Sequence, residues 1–262
     1  MGSFRKFILS VFLWLSVSGS AQSFTKYDSL QIGSADQIFA DDYGSLYIYK
    51  NRNFSLTKSD TLNKLQGRLM LAVPFKVQDV QNPLNIALFS ENAQQFRFVD
   101  RNLNQIQQLN LRDFGFIKMA YAEDLQQLWL LDESSKRLLQ YNFRENNILN
   151  AFPLDLDYSA VQDMVVYRDK VYLILNDEFA VYNLNGQRNF TTKINGLARL
   201  RRENGQIYVL TNNKIFIYQQ DKNLSQTFSA AAADFVDKNS SAYFELRNNK
   251  LYIYPIAAQE KA

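Results

Sequence analysis

Residues 161–194 read VQDMVVYRDKVYLILNDEFAVYNLNGQRNFTTKI, and this stretch decides the fold. Val161–Tyr167 and Val171–Leu175 are apolar runs rich in β-branched and aromatic residues, parted by Arg168-Asp169-Lys170. Phe179–Asn183 and Asn189–Ile194 follow, set off by turn residues such as Asn176-Asp177. Short runs of this kind read as strands, and Asn, Asp and Gly between them tolerate the tight backbone of hairpins. The run at 171–175 is continuous rather than alternating, as expected for a strand packed on both faces. Nothing in the stretch carries a sustained helical period.

The second of these strands has counterparts along the chain. They are Leu46–Tyr49, Ile86–Phe89, Leu128–Leu131, Val171–Ile174, Ile207–Leu210 and Ala242–Glu245, at intervals of 40, 42, 43, 36 and 35 residues. Such spacing suits four-stranded blades arranged around an axis. After the copy at 161–194 comes another, with strands expected at Leu197–Arg201, Gln206–Leu210, Lys214–Tyr218 and Leu224–Ser229. The last copy offers only Ala233–Val236, Ala242–Leu246 and Lys250–Pro255 before the chain stops. At the other end, Tyr27–Ile32 is a spare strand before the first inner strand near Gln37. One strand is missing and one is spare, so the sequence predicts an all-β, six-bladed β-propeller of four-stranded blades, its ring closed by the N-terminal strand. Closure also protects edges that would otherwise template aggregation. Most of the 15 Tyr and 20 Phe are expected between blades, as packing.

The N-terminus reads as an export signal. Arg5 and Lys6 precede the apolar run Phe7–Val17, and Gly19 and Ala21 stand at the −3 and −1 positions of a cleavage site. The run is shorter than the roughly 20 residues a membrane span needs. The expected organisation is therefore a signal peptide at 1–21, a single propeller domain at 22–256 and a disordered tail at 257–262. Loss of Arg5 and Lys6 lowers the formal charge from +3 to +1. A near-neutral protein has no global field to attract nucleic acid or anionic lipid, so neither is expected as a partner. The chain has no Cys and no His. Ser–His–Asp and Cys–His catalysis are thereby excluded within it, and the usual zinc and copper ligands are missing. No phosphate-binding loop of the Walker or dinucleotide type occurs. No cofactor is expected.

With the repeats laid out, the chain resembles the broad group of six-bladed propellers that includes NHL-like and lactonase-like proteins. Asn82–Glu91 (NPLNIALFSE) followed by Phe98–Ile106 (FVDRNLNQI) resembles an uncharacterised family of exported propellers in Bacteroidota. That resemblance implies a location, the periplasm or the outer-membrane periphery, and no particular activity. The expected role is a non-catalytic protein-interaction or scaffold module of the bacterial cell envelope. Its expected partner is an envelope protein, with peripheral association to an outer-membrane complex and no transmembrane segment once the signal is cleaved. The alternatives are a metal-dependent hydrolase of the lactonase kind and a small-ligand or glycan binder using the central channel.

Candidate site residues come from the inner strands, which line the axis. Asp36, Asp79, Asp163 and Asp234 recur near the start of four of them, with Lys118 and Arg199 at similar places in the other two. Facing one axial opening, they form a candidate polar-ligand site at the channel mouth, since hard cations and polar ligands want several oxygens. The competing expectation is that each Asp accepts backbone N–H bonds from a neighbouring blade while the two cations balance charge. Arg199-Leu-Arg-Arg202, the only basic cluster, reads as a solvated strand end.

Overall fold

The computed structural model describes residues 28–60, 62–196, 198–219 and 223–256. The expected signal peptide at 1–21 and tail at 257–262 lie outside the described residues. Strand β1 (Asp28–Gln31) comes first, then blade 1 with β2 (Gln37–Ala40), β3 (Ser45–Lys50), β4 (Ser55–Asp60) and β5 (Leu65–Met70). Blade 2 holds β6 (Lys76–Asp79), β7 (Ile86–Ser90), β8 (Gln95–Val99) and β9 (Gln105–Asn110). Blade 3 holds β10 (Ile117–Ala122), β11 (Gln127–Asp132), β12 (Arg137–Asn142) and β13 (Asn147–Pro153). Blade 4 holds β14 (Val161–Tyr167), β15 (Lys170–Leu175), β16 (Glu178–Asn183) and β17 (Arg188–Lys193). Blade 5 holds β18 (Ala198–Glu203), β19 (Gln206–Thr211), β20 (Lys214–Gln219) and β21 (Asn223–Ser229). Blade 6 holds β22 (Phe235–Lys238), β23 (Ala242–Arg247) and β24 (Lys250–Pro255), and β1 pairs antiparallel with β24 as its outer strand. Each blade is one four-stranded antiparallel sheet, and the protein is a six-bladed propeller closed by its N-terminal strand.

All six repeated segments fall on second strands, and β15 is buried along its length after Lys170. The hairpins are tight where the sequence places Asn, Asp or Gly. Arg168-Asp169, Asn204-Gly205 and Asn248-Asn249 each hold two successive residues at positive φ, the backbone that fits the twist of flanking strands. Gly205 (φ +76°) is further confined, because a Cβ there would stand 3.0 Å from the Tyr167 hydroxyl. Two inner strands are displaced from expectation. β22 runs to Lys238 rather than stopping at Val236, and β18 runs to Glu203, because their backbones keep pairing with β23 and β19.

The core lies between blades, as it must when no single sheet covers its own face. Phe39, Tyr47 and Leu56 of blade 1 pack against Val77, Ile86 and Leu88 of blade 2. Phe228 of blade 5 stacks on Tyr243 of blade 6 with ring centroids 4.7 Å apart. Ile38 and Leu46 of blade 1 meet Phe244 and Leu251 of blade 6, so the first and last blades share a core too. Each fully buried large apolar side chain stabilises the fold by roughly 1.5–3 kcal/mol relative to exposure.

Candidate functional site: a plugged channel with two mouths

Six inner strands, β2, β6, β10, β14, β18 and β22, surround the axis. They begin at one face, here the upper, and end at the other, the lower. Between the faces the axis is filled with interlocked charges. Asp237 on β22 is 0 % exposed. Its carboxylate accepts hydrogen bonds from the Ala40 N–H (2.6 Å), Arg199 Nη2 (2.6 Å) and Arg201 Nη1 (3.3 Å). Arg199 also donates to the Ile38 carbonyl (3.1 Å) and Arg201 to the Ala40 carbonyl (3.3 Å). Two arginines of blade 5 thus reach past blade 6 to blade 1. Arg201 Nε stands 3.2 Å from Glu203, whose other oxygen accepts from Lys238 Nζ.

A second tie crosses the far side. Lys76 Nζ on blade 2 donates to the Gln162 carbonyl (2.7 Å) and lies 3.2 Å from Asp163 on blade 4. Asp163 in turn accepts from the Leu200 N–H of blade 5 (2.7 Å). The Gln78 side chain brackets β10, donating to the Ala120 carbonyl and accepting from the Ala122 N–H. Gln78, Asp163 and Asp237 therefore hook the inner strand of the next blade from blades 2, 4 and 6.

The electrostatics follow from burial and pairing. Burial alone pulls the Arg201 guanidinium down, but Asp237, Asp79 and Glu203 outweigh it and hold Arg201 more firmly protonated than usual. Lys238 goes the other way: burial lowers it, and Glu203 offsets that only in part. Burial raises the Asp79 carboxyl above its ordinary range, against the pull of Arg201. Burial also pushes the Tyr121 hydroxyl up to about 12, with Arg202 opposing.

The sequence-predicted residues do not converge on one opening. Asp36 and Asp234 are exposed and cap turns of their own blades, accepting from the Asn51 N–H (2.7 Å) and the Asn248 N–H (2.9 Å). Asp163 bonds the neighbouring blade, while Asp79 caps Gln81 N–H (3.0 Å) in its own. Arg199 joins the plug, and Lys118 pairs with Glu91 (2.8 Å) at the upper mouth. The basic cluster is not a solvated strand end: Arg201 is 3 % exposed because counter-charges on β22 and β18 enclose it. Arg202 points to the other face of β18, over the Tyr167 ring at 4.8 Å. Lys76, Glu203, Asp237 and Lys238 were not singled out by the sequence reading. The usable signal for them was their position on inner strands, where an unpaired charge is not tolerated.

Besides a small recess of about 50 Å³ that Asp36 and Arg199 both line, two larger ones lie at the mouths of the channel. The upper one, about 450 Å³, is walled by Tyr49, Phe75, Phe89 and Met119, with Lys76 and Gln162 also lining it. The lower one, about 330 Å³, is lined by Asp79, Gln81, Tyr121, Glu123 and Arg202 among others. Among the described residues, no three Asp, Glu, His or Cys side chains gather in a way that could hold a metal ion.

No family model and no curated protein matches the chain. Solved structures do. Virginiamycin B lyase from Staphylococcus aureus aligns with a TM-score of 0.53 at 10 % identity, over 88 % of this chain and 99 % of that one. A streptogramin B lyase gives 0.53 at 10 % identity, over 86 % and 94 %. A Bacteroides caccae protein of unknown function gives 0.53 at 12 % identity, over 82 % and 83 %. At such identities the likeness shows the fold alone.

Proposed function

We propose that this chain is a non-catalytic interaction module of the bacterial cell envelope, exported and then docked on an envelope protein through blades 1 to 3. The observation that carries this reading is the distribution of exposed apolar side chains. All ten large ones among the described residues fall between Tyr43 and Leu149, which is blades 1, 2 and 3. Tyr43 (77 % exposed), Leu84 (59 %) and Leu125 (43 %) sit at the tips of the turns joining first and second strands on three successive blades, all on the lower face. Leu62 (83 %) adds a fourth tip on that face, and Leu65, Met70, Ile106 and Ile148 lie on the outer strands β5, β9 and β13. The matching turns of blades 4 to 6 carry Arg168-Asp169, Asn204-Gly205 and Asn239-Ser240-Ser241. Apolar side chains scattered singly need no explanation, but a one-sided cluster is the mark of a docking surface.

The test compares capture of envelope proteins by the wild type and by a triple variant, Tyr43→Ser with Leu84→Ser and Leu125→Ser. Exposed-site changes of this kind leave stability nearly untouched, so thermal unfolding should be unchanged. A crosslinked partner recovered with the wild type and lost with the variant supports docking by this half of the ring. Equal recovery of that partner by both removes the basis of the proposal.

A further inference from the structure

The lower mouth carries hydrogen-bonding groups that the protein itself does not use. Tyr121 lines the recess, and its hydroxyl makes no hydrogen bond to any described residue. Gln81 lines it too, with a side-chain nitrogen that is fully buried and has no partner. Arg202 makes no ion pair among the described residues. Its guanidinium carbon lies over the Tyr167 ring, a contact that holds the group in place without using its N–H donors. The Asn85 side-chain amide makes no bond to the described residues either, although its backbone N–H donates to the Asn82 carbonyl. Of these four groups the Gln81 nitrogen is cut off from water as well as unpartnered, which is costly, and with the three solvent-facing donors beside it the recess suits a ligand that accepts hydrogen bonds.

The same recess offers acceptors. Asp79 uses one carboxylate oxygen on the Gln81 N–H. Glu123 uses one on the Trp129 and Gln140 side chains. Each has a second oxygen to give. This mixture decides the ligand's charge. An anion would approach Asp79 and Glu123; a cation would approach Arg202 and, behind Asp79, Arg201. A ligand that both donates and accepts without charge satisfies every group, and vicinal hydroxyls do so most compactly. The volume, about 330 Å³, falls at the small end of the roughly 300–1,000 Å³ typical of small-molecule sites. We infer that the lower mouth is a binding site for a neutral polyhydroxylated ligand, a sugar or sugar end-group, recognised by Arg202, Tyr121, Gln81, Asn85, Asp79 and Glu123. This goes beyond partner docking and does not depend on it.

The test uses the full chain and free sugars. Glucose, galactose, mannose and N-acetylglucosamine are titrated by ligand-observed NMR, with glucuronate and glucosamine as charged counterparts. At least one neutral sugar should give saturable binding, stronger than either charged probe. Tyr121→Phe removes only a hydroxyl that bonds nothing in the protein, so folding is retained and checked by thermal unfolding. It should weaken binding by about 2- to 12-fold, the worth of one hydrogen bond. Arg202→Gln should weaken it further. No saturable signal from any neutral sugar overturns the inference. So does stronger binding of glucuronate or glucosamine, or binding that Tyr121→Phe and Arg202→Gln leave unchanged.

Discussion

The Ala40 N–H donates to the Asp237 carboxylate at 2.6 Å, joining inner strands of the first and last blades across 197 residues of sequence. The ring is thus closed twice, at the axis by this bond and at the rim by β1 on β24. Asp237 also neutralises Arg199 and Arg201 where the first is mostly buried and the second almost wholly so. Asp237→Asn keeps the shape and removes the charge, leaving two guanidinium groups short of a counter-ion. Stability should fall by about 3–5 kcal/mol, read by urea unfolding. A loss below about 1 kcal/mol would mean that Glu203 and Asp79 suffice for the arginines.

Lys76 offers a graded comparison. Its ammonium ties blade 2 to blade 4 at Gln162 and Asp163, but it is partly exposed, and Asp163 keeps two backbone donors without it. Lys76→Met should therefore cost less than Asp237→Asn, about 1.5–3 kcal/mol, the range for hydrogen bonds to charged groups. The ordering of the two variants in one unfolding series is the measurement.

Rim closure predicts tolerance of a cut. Asp28 pairs with Ile253 and Gln31 with Lys250, so β1 starts where β24 ends. A circular permutant that begins at residue 33 and carries residues 28–32 after residue 256, through a short turn, should fold with a near-native unfolding midpoint. Deleting residues 28–32 outright should lower the midpoint and promote aggregation, since it bares the β24 edge and removes Leu30 and Ile32 from the shared core.

Asp79 sets a pH dependence. Its folded pKa is raised, first by burial, with Arg201 opposing. Between the unfolded value, about 3.9, and the raised folded value, the native state holds more protons than the unfolded state. Stability from this group is complete below that window and declines as pH rises through it. Asp79→Asn should remove that decline, making the variant more stable than the wild type at neutral pH and flattening the acid-side profile of the melting temperature. A variant profile parallel to the wild type would contradict the raised value.

The blades were legible because hairpin turns and apolar second strands recur in the sequence; Val171–Leu175 and Ile207–Leu210 announce themselves. The channel was not legible, and the reason is geometric. Counting back eight residues from the second strand finds Asp163 in blade 4 and Asp234 in blade 6. Yet the residue that hooks the next blade in blade 6 is Asp237. Asp163 stands opposite Ile174, three residues past Val171, whereas Asp234 precedes Phe235, which itself stands opposite Leu246, four residues past Ala242. Equal sequence offsets therefore land at different heights on the axis. The Arg199–Arg202 cluster misled for a related reason: its counter-charge is supplied by Asp237, 36 residues beyond Arg201. Exposure of the apolar tips Tyr43, Leu84 and Leu125 was likewise invisible until their turns were placed on one face.

Docking through blades 1 to 3 is tested most directly by photocrosslinking in intact cells, with a photoreactive residue placed in turn at Tyr43, Leu84 and Leu125 and, as controls, at Asp169, Asn204 and Ser240. These positions sit on equivalent turns of the six blades. The account predicts one partner adduct shared by the first three sites and absent from the last three. Adducts of equal strength from both halves, or from blades 4 to 6 alone, would contradict it.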